Sequence, residues 1–338
     1  MRAAVWYGAR DVRVEDVPAA APRAGEVAIT VAYCGICGSD LHEYLDGPHA
    51  VPVDAPHPES GRRAPLTLGH EFCGTVAEVG PDVTGFQPGD RVAVEPHYRC
   101  GTCARCRAGE YNLCRHFGFA GLMGDGGLAE RAVVPSYMLH RLPAGVPLEQ
   151  AAVLEPAAVA LHALRRSGLR DGETVAVSGL GPIGLLVVRL AAHYGAGRIV
   201  ASDPSASRRA LARRLGATEV VDAGLLPAGE ADLAFEAVGT EGTLRDCLAA
   251  TRRGGRVVLL GLGGTFAVDA FALVNNEQTI IGSVGYRDVY PELIQLVAEE
   301  GLDLAAIVTS TVPLADVVRD GFEALLTAKE EIKVLVRP

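Results

Sequence analysis

The chain has 338 residues, 49% of them hydrophobic, and carries 41 acidic against 31 basic side chains for a formal net charge of -10. Acidic balance without a basic stripe speaks against nucleic acid or an anionic membrane as partner. No uncharged apolar run is long enough to span a bilayer, and eight cysteines are too sparse for a disulfide scaffold, so a two-domain cytoplasmic protein is expected.

Residues 1–6 read as an opening strand, without the pattern of a leader. Around Val5, over Val12-Arg13-Val14 and over Val27-Ala28-Ile29-Thr30-Val31 the chain alternates or runs β-branched, with Pro18, Pro22 and Gly25 between, which predicts a strand-rich region without long helices. Cys34 and Cys37 then form a CxxC pair. A redox role is one reading, but no βαβ context flanks the pair, and Cys37 has a better use with His70, Glu71 and Glu155. Thiolate, imidazole and carboxylate are donors that zinc takes, and three donors with an open fourth position describe a catalytic site. The lone thiolate argues against iron–sulfur, magnesium and calcium. Cys34 is then structural, and Asp40 orients a ligand.

Ser39 and His42 supply a hydroxyl and an imidazole through which a proton released from an alcohol reaches solvent; a helix cap and an ordinary surface histidine are the plainer alternatives. Residues 44–65, rich in proline and acidic side chains, predict a surface loop carrying His49 and His57 as exposed side chains. On an ideal strand His70 and Glu71 face opposite ways, so binding by both requires a turn at Gly69. Otherwise His70 is the firm donor, with Glu71 and Glu155 competing for the third place or exchanging with water.

Cys100, Cys103, Cys106 and Cys114 follow in the pattern C-x2-C-x2-C-x7-C. Four thiolates close a tetrahedron and leave no open position, which predicts a structural zinc lobe over about residues 96–116. The last cysteine comes later than in a ferredoxin-type run and precedes Arg115, not proline. Arg99, Arg105, Arg107 and Arg115 either offset the anionic lobe or form a solvated face. Residues 121–127 read as a flexible glycine-rich stretch. Gly118-Phe119 and the residues after it are candidates for the substrate pocket, which Met123 or Asp125 would alter by facing it.

Beyond Glu155 short strands give way to strand–helix repeats. Thr174-Val175-Ala176-Val177-Ser178 reads as a buried strand, and Gly179-Leu180-Gly181-Pro182-Ile183-Gly184 turns it into a helix reaching Tyr194. Gly179 suits the tight turn, Gly181 the approach to a pyrophosphate and Gly184 close helix packing, so Gly179, Gly181, Pro182, Ile183 and Gly184 form a dinucleotide turn. A second strand ends at Asp203, placed for ribose hydroxyls, which favours NAD; Arg208 and Arg209 keep NADP as the alternative. Strands over 232–236 and 255–260 with a helix over 243–250 continue the pattern, and helices over 289–300 and 317–326 with a strand over 333–336 close the chain.

These motifs together resemble the zinc-dependent medium-chain dehydrogenases over the whole length. The resemblance implies an α/β protein in which a GroES-like β-rich catalytic domain (residues 1–150 and 285–338) is interrupted by a Rossmann doubly wound parallel-sheet domain (151–284). It implies Cys37 and His70 as catalytic zinc ligands, Ser39 and His42 as a proton relay, the four lobe cysteines as structural zinc ligands, and a homotetramer or homodimer formed in part through residues 268–283. Glu71 and Glu155 match the polyol branch. The run from Cys34 to Pro48 is similar to the butanediol dehydrogenases, implying NAD-linked interconversion of a secondary alcohol or diol with its ketone or hydroxyketone. Sorbitol or xylitol dehydrogenases and L-threonine 3-dehydrogenases share most of these residues. A nucleotide-binding, zinc-stabilised regulatory protein and a zinc-free quinone reductase are the rival readings.

Overall fold

A computed structural model describes residues 1–328 and 330–338, and the chain divides into two compact units, Met1–Glu155 with Tyr290–Pro338, and Pro156–Val289. The β-branched segment Glu26–Gly35 organises the first unit. It pairs antiparallel with Glu71–Val79, Arg131–Pro135 and Lys333–Arg337. The resulting seven-stranded sheet continues through Arg91–Val94 and Leu139–Arg141 on one side and Val308–Pro313 on the other. Val27, Ile29, Phe72, Val76, Val334 and Val336 meet in its core, where removal of their apolar surface from water supplies most of the driving force. A three-stranded sheet sets Arg2–Gly8 between Asp11–Asp16 and Leu66–Thr67.

Helix is scarce here, and one piece departs from expectation. Residues 317–326 do not form one α-helix: a π-helix over Val317–Glu323 runs into a short α-helix, Ala324–Thr327. Packing explains the wider turn. Gly321 lies against Ile36, where a Cβ would meet the Ile36 Cδ1 at 2.6 Å. Phe322 packs on Tyr44 with ring centroids 5.1 Å apart, and Glu323 accepts the Tyr44 hydroxyl at 2.7 Å. The π-turn therefore braces the residues on either side of Cys37, in keeping with the tendency of such bulges to sit beside functional segments.

The second unit is a six-stranded, wholly parallel sheet in the order Glu219–Val221, Arg198–Ser202, Thr174–Ser178, Ala231–Glu236, Thr251–Leu259, Thr279–Gly282. Its central strands Thr174–Ser178 and Ala231–Glu236 are nearly continuous buried runs, as expected when helices cover both faces. The chain steps outward in opposite directions from Thr174–Ser178, so the crevice at that strand's carboxyl end is the switch point where such sheets bind ligands. Among the described residues no helix is long and apolar enough to cross a membrane.

His162 lies buried in the helix Leu154–Ser167, and burial, with the nearby charges of Arg287, Arg166 and Arg165, lowers its pKa to about 4. The unfolded chain binds this proton below about pH 6.5, whereas the folded chain refuses it until about pH 4. Stability from this group is therefore whole at neutral pH and falls as pH drops through that window. Denaturant titrations across the window should show a shallower acid loss for His162→Gln than for the parent chain.

Candidate functional site

Cys37 precedes the helix Gly38–Asp46, and Glu71 opens the strand Glu71–Val79 with His70 just before it. The Cys37 sulfur, a His70 ring nitrogen and a Glu71 carboxylate oxygen all lie within 4.8 Å of one another. Gly69 turns the chain to allow this: its φ of +92° is in the left-handed region, where glycine carries no Cβ penalty. A Cβ there would also stand 2.6 Å from both Cys34 Sγ and Leu128 Cγ. The stretch 121–127, expected to be flexible, is packed instead. Gly121 and Gly126 lie so close to the Gly69 carbonyl that a Cβ on either would collide with it, and the N–H groups of Gly126 and Gly127 donate to the Thr67 and Gly69 carbonyls at 2.9 and 2.7 Å. The glycines serve close backbone approach around His70.

His70 is buried, with Nδ1 3.6 Å from Asp40 Oδ1 and Nε2 3.4 Å from Ser39 Oγ. Asp40 also accepts the Cys37 backbone N–H at 2.9 Å, so one buried carboxylate lies beside two of the donors. Burial opposes a charged imidazole, yet Asp40 and Cys37 hold the His70 pKa well above its ordinary value. This is a cation-seeking pocket, and its sulfur, nitrogen and oxygen donors fit zinc. Phe119 stands beside it, its ring 5.6 Å from that of His70. Met123 and Asp125 are occupied elsewhere: Met123 Sδ accepts the Phe119 N–H at 3.2 Å, and Asp125 pairs with Arg62 at 2.8 Å.

The hydroxyl of Ser39 meets His70, not His42, which is exposed with its ring 6.2 Å from His49. His49 is exposed as expected, but His57 is not: it is half-buried, its ring 5.6 Å from Tyr98, and burial lowers its pKa. Cys34 is fully buried, which pushes its thiol well above the ordinary range and removes the thiolate that a redox pair requires.

The two glutamates take different places. Both Glu71 oxygens accept from Lys333 Nζ, at 2.8 and 2.7 Å, and the same ammonium donates to the Ile36 carbonyl at 2.9 Å. Burial works against that charge, but Glu71 and Cys37, together with Glu155, raise the Lys333 pKa above its ordinary value. Glu155 is buried at the start of the helix Leu154–Ser167, within electrostatic reach of Lys333 but outside the set of mutually close donors. Sequence reasoning missed Lys333. Its signal was there: a chain that writes nearly every cation as arginine keeps lysine only at 329 and 333.

The sulfurs of Cys100, Cys103, Cys106 and Cys114 also converge within 4.8 Å. Backbone N–H groups of Cys100 and His116 donate to Cys114 Sγ, each at 3.3 Å, and that of Cys103 to Cys100 Sγ at 3.4 Å. Backbone donors at Thr102 and Cys103 lower the Cys100 pKa to about 5 and the Cys106 N–H lowers that of Cys103, whereas burial raises that of Cys106 to about 12, so without a cation the lobe favours thiolates at Cys100 and Cys103 and a thiol at Cys106. Two of the nearby arginines have other partners: Arg99 lies over the rings of Tyr111 and Tyr137, and Arg105 pairs with Glu110.

In the second unit Gly179 has φ +93°, and a Cβ on Gly184 would collide with the Gly179 carbonyl. Gly181 faces open space as the N-cap of the helix Pro182–His193, which Pro182 and Ile183 begin, leaving its N-terminus open to an anion. Asp203 is buried and accepts the N–H groups of Leu180 and Ser205, each at 2.8 Å. Each oxygen keeps a second acceptor position. Arg209 is held by the Asp203 carbonyl and by Asp222.

Lys333→Met should leave the buried Glu71 charge without its partner and cost about 3–5 kcal/mol of stability. The loss, read from the denaturant midpoint, should shrink at saturating zinc, which offers the carboxylate another cation.

Residues 23–144 match the family model for the alcohol dehydrogenase GroES-like domain, and residues 182–299 match that for the zinc-binding dehydrogenases. The chain is 40% identical to the (R,R)-butanediol dehydrogenase of Bacillus subtilis (strain 168), with 100% of both sequences covered. It is 34% identical to the sorbitol dehydrogenase of the same organism, over 100% of this chain and 99% of that one. The crystal structure of 2R,3R-butanediol dehydrogenase from Bacillus subtilis superposes with a TM-score of 0.93 at 39% identity, covering 100% of this chain and 99% of that one. Two metal clusters and a Rossmann-type nucleotide domain are the machinery of a zinc-dependent, NAD-linked alcohol dehydrogenase. The chain belongs to the zinc-dependent medium-chain dehydrogenases and is closely related to their (R,R)-butanediol dehydrogenases.

Proposed function

We propose that this protein interconverts (R,R)-2,3-butanediol and acetoin with NAD. The full-length likeness at 40% identity to an enzyme named for that diol carries the reading. The aromatic wall supports it: Phe119 stands beside His70, with the Phe117 ring 5.0 Å away and the His97 ring 4.9 Å away. A methyl-bearing diol packs on such a wall, whereas a hexitol sets hydroxyls against it without partners. The likeness to a sorbitol dehydrogenase at 34% identity keeps polyol oxidation as the second reading.

Cys37, His70 and Glu71 would hold the catalytic zinc, with Glu155 as the carboxylate available for exchange. Bound there, the metal would supply Lewis-acid polarisation of the carbinol or carbonyl oxygen, and the nicotinamide would supply the hydride chemistry. Asp40 keeps the His70 ring turned so that Nε2 faces the site. Ser39 Oγ, half-buried beside that nitrogen, would take the substrate's hydroxyl proton; exposed His42, which Ser39 does not touch, would pass it to solvent only through a water between the two. Lys333 balances the charge of Glu71, and the Phe119 wall excludes water. Gly181 and Gly184 admit the cofactor pyrophosphate to the helix N-terminus, and Asp203 receives the adenosine ribose.

The proposal includes a homodimer as the minimal assembly. Thr279–Gly282 is an edge strand of the parallel sheet, and Leu262, Phe271 and Val274 are 81%, 80% and 73% exposed in the same unit. An open edge beside bare apolar side chains favours a second copy of the sheet. Phe271→Glu with Val274→Glu should sediment as a monomer where the parent chain sediments as a dimer or tetramer.

Initial rates with zinc-replete protein and NAD decide the substrate. kcat/KM for (R,R)-2,3-butanediol should exceed those for sorbitol, xylitol and L-threonine by at least about tenfold, or 1.4 kcal/mol, with matching acetoin reduction by NADH. A preference for sorbitol would transfer the assignment to the polyol reading.

A further inference from the structure

One cluster of metal-binding side chains remains outside the catalytic reading. Glu59, on the proline-rich loop, places Oε1 2.6 Å from His116 Nδ1. His116 follows Cys114 by two residues. Together with Cys100 Sγ these residues bring a carboxylate oxygen, an imidazole nitrogen and a sulfur within 4.8 Å of one another. That is again a zinc donor set, and it opens to solvent: the side chains of His116 and Glu59 are 33% and 26% exposed.

We propose that Glu59, Cys100 and His116 form a third zinc position that shares the Cys100 sulfur with the four-thiolate centre. The ion would replace the proton now lying between Nδ1 and Oε1. Zinc bonds of about 2.0–2.2 Å to nitrogen and oxygen set tetrahedral donors about 3.3 Å apart, so the pair need open by less than about 1 Å. A thiolate sulfur has the lone pairs to bridge two cations, and water completes the fourth position. Charge favours the arrangement: four thiolates about one zinc ion carry a net double negative charge, which a second divalent ion reduces even with the Glu59 carboxylate added. Occupancy also has a mechanical consequence. It ties the Glu59 loop to the lobe, and the same loop is fixed to the Phe119 segment by Ser60 bonding to the Met123 carbonyl and by Arg62 pairing with Asp125 at 2.8 Å.

The test uses the full chain, titrated with zinc and freed of excess by gel filtration before metal analysis. The parent should hold three zinc ions per chain, and Glu59→Gln and His116→Gln one fewer. Cobalt titration supplies an independent readout on the unaltered chain: the third equivalent should strengthen the thiolate-to-cobalt charge-transfer band, since it adds a bond to Cys100. A parent chain that stops at two ions, variants that keep the third, or a third cobalt ion without added charge transfer would each overturn the proposal. Should a variant lose two ions through collapse of the lobe, the cobalt readout on the parent decides alone.

Discussion

The buried pair between Lys333 and Glu71 sets the terms for the first unit. Both side chains are at most 1% exposed, and stripping water from two such charges costs several kcal/mol per ion unless the geometry returns it. Here it does: three hydrogen bonds of 2.7–2.9 Å satisfy the ammonium through two Glu71 oxygens and the Ile36 carbonyl. Such a pair tolerates little displacement, so the strand Lys333–Arg337 must lie between Glu26–Gly35 and Val308–Pro313 as observed. The unit that holds the catalytic cluster is therefore completed by the last strand of the chain. Because that ammonium also touches the residue before Cys37, the pair ties the position of the thiol to that of the carboxylate.

A second constraint is steric. His70 and Glu71 reach one centre because Gly69 adopts a left-handed conformation, and the space around Gly69 is filled by the backbones of Gly121 and Gly126. Three glycines from two distant segments pack where side chains would force the strands apart. The result is a rigid seat for an imidazole whose Nδ1 faces Asp40, and a ligand held this way loses little entropy on binding metal. The π-helix Val317–Glu323 has the same logic: a locally unfavourable turn persists because Gly321 and Phe322 fit against Ile36 and Tyr44.

What the sequence discloses follows from which residue types are chemically rare. Cysteines at short spacing, a His-Glu pair after glycine and a strand–glycine–helix turn carry their meaning in their identity, so both donor clusters and the parallel nucleotide sheet were legible. Features whose meaning lies in their neighbours were not. Gly121 to Gly127 have the composition of a flexible linker, and only the Gly69 backbone, fifty residues earlier in the chain, makes them a packed floor. Lys333 sits in a short β-branched run that reads as any strand, and its partner is 262 positions away. His57 lies in a loop whose composition reads as exposed, but Tyr98 packs against its ring.

The division between the two kinds of residue also bears on specificity. The reaction class rests on donors for a Lewis acid and on a parallel-sheet nucleotide domain. Neither distinguishes a diol from a hexitol. Discrimination falls instead to the surface beside His70, where a hydroxyl left without a partner costs about 1–3 kcal/mol and a well-packed methyl gains about 0.8. Two or three such differences exceed a hundredfold in rate. Identities of 40% to a butanediol enzyme and 34% to a sorbitol enzyme are therefore compatible with sharply different substrates. On the proposed reading, the segment that carries Phe119, held by Met123 and by the Asp125–Arg62 pair, is where a change of few residues would bear most on which alcohol is oxidised.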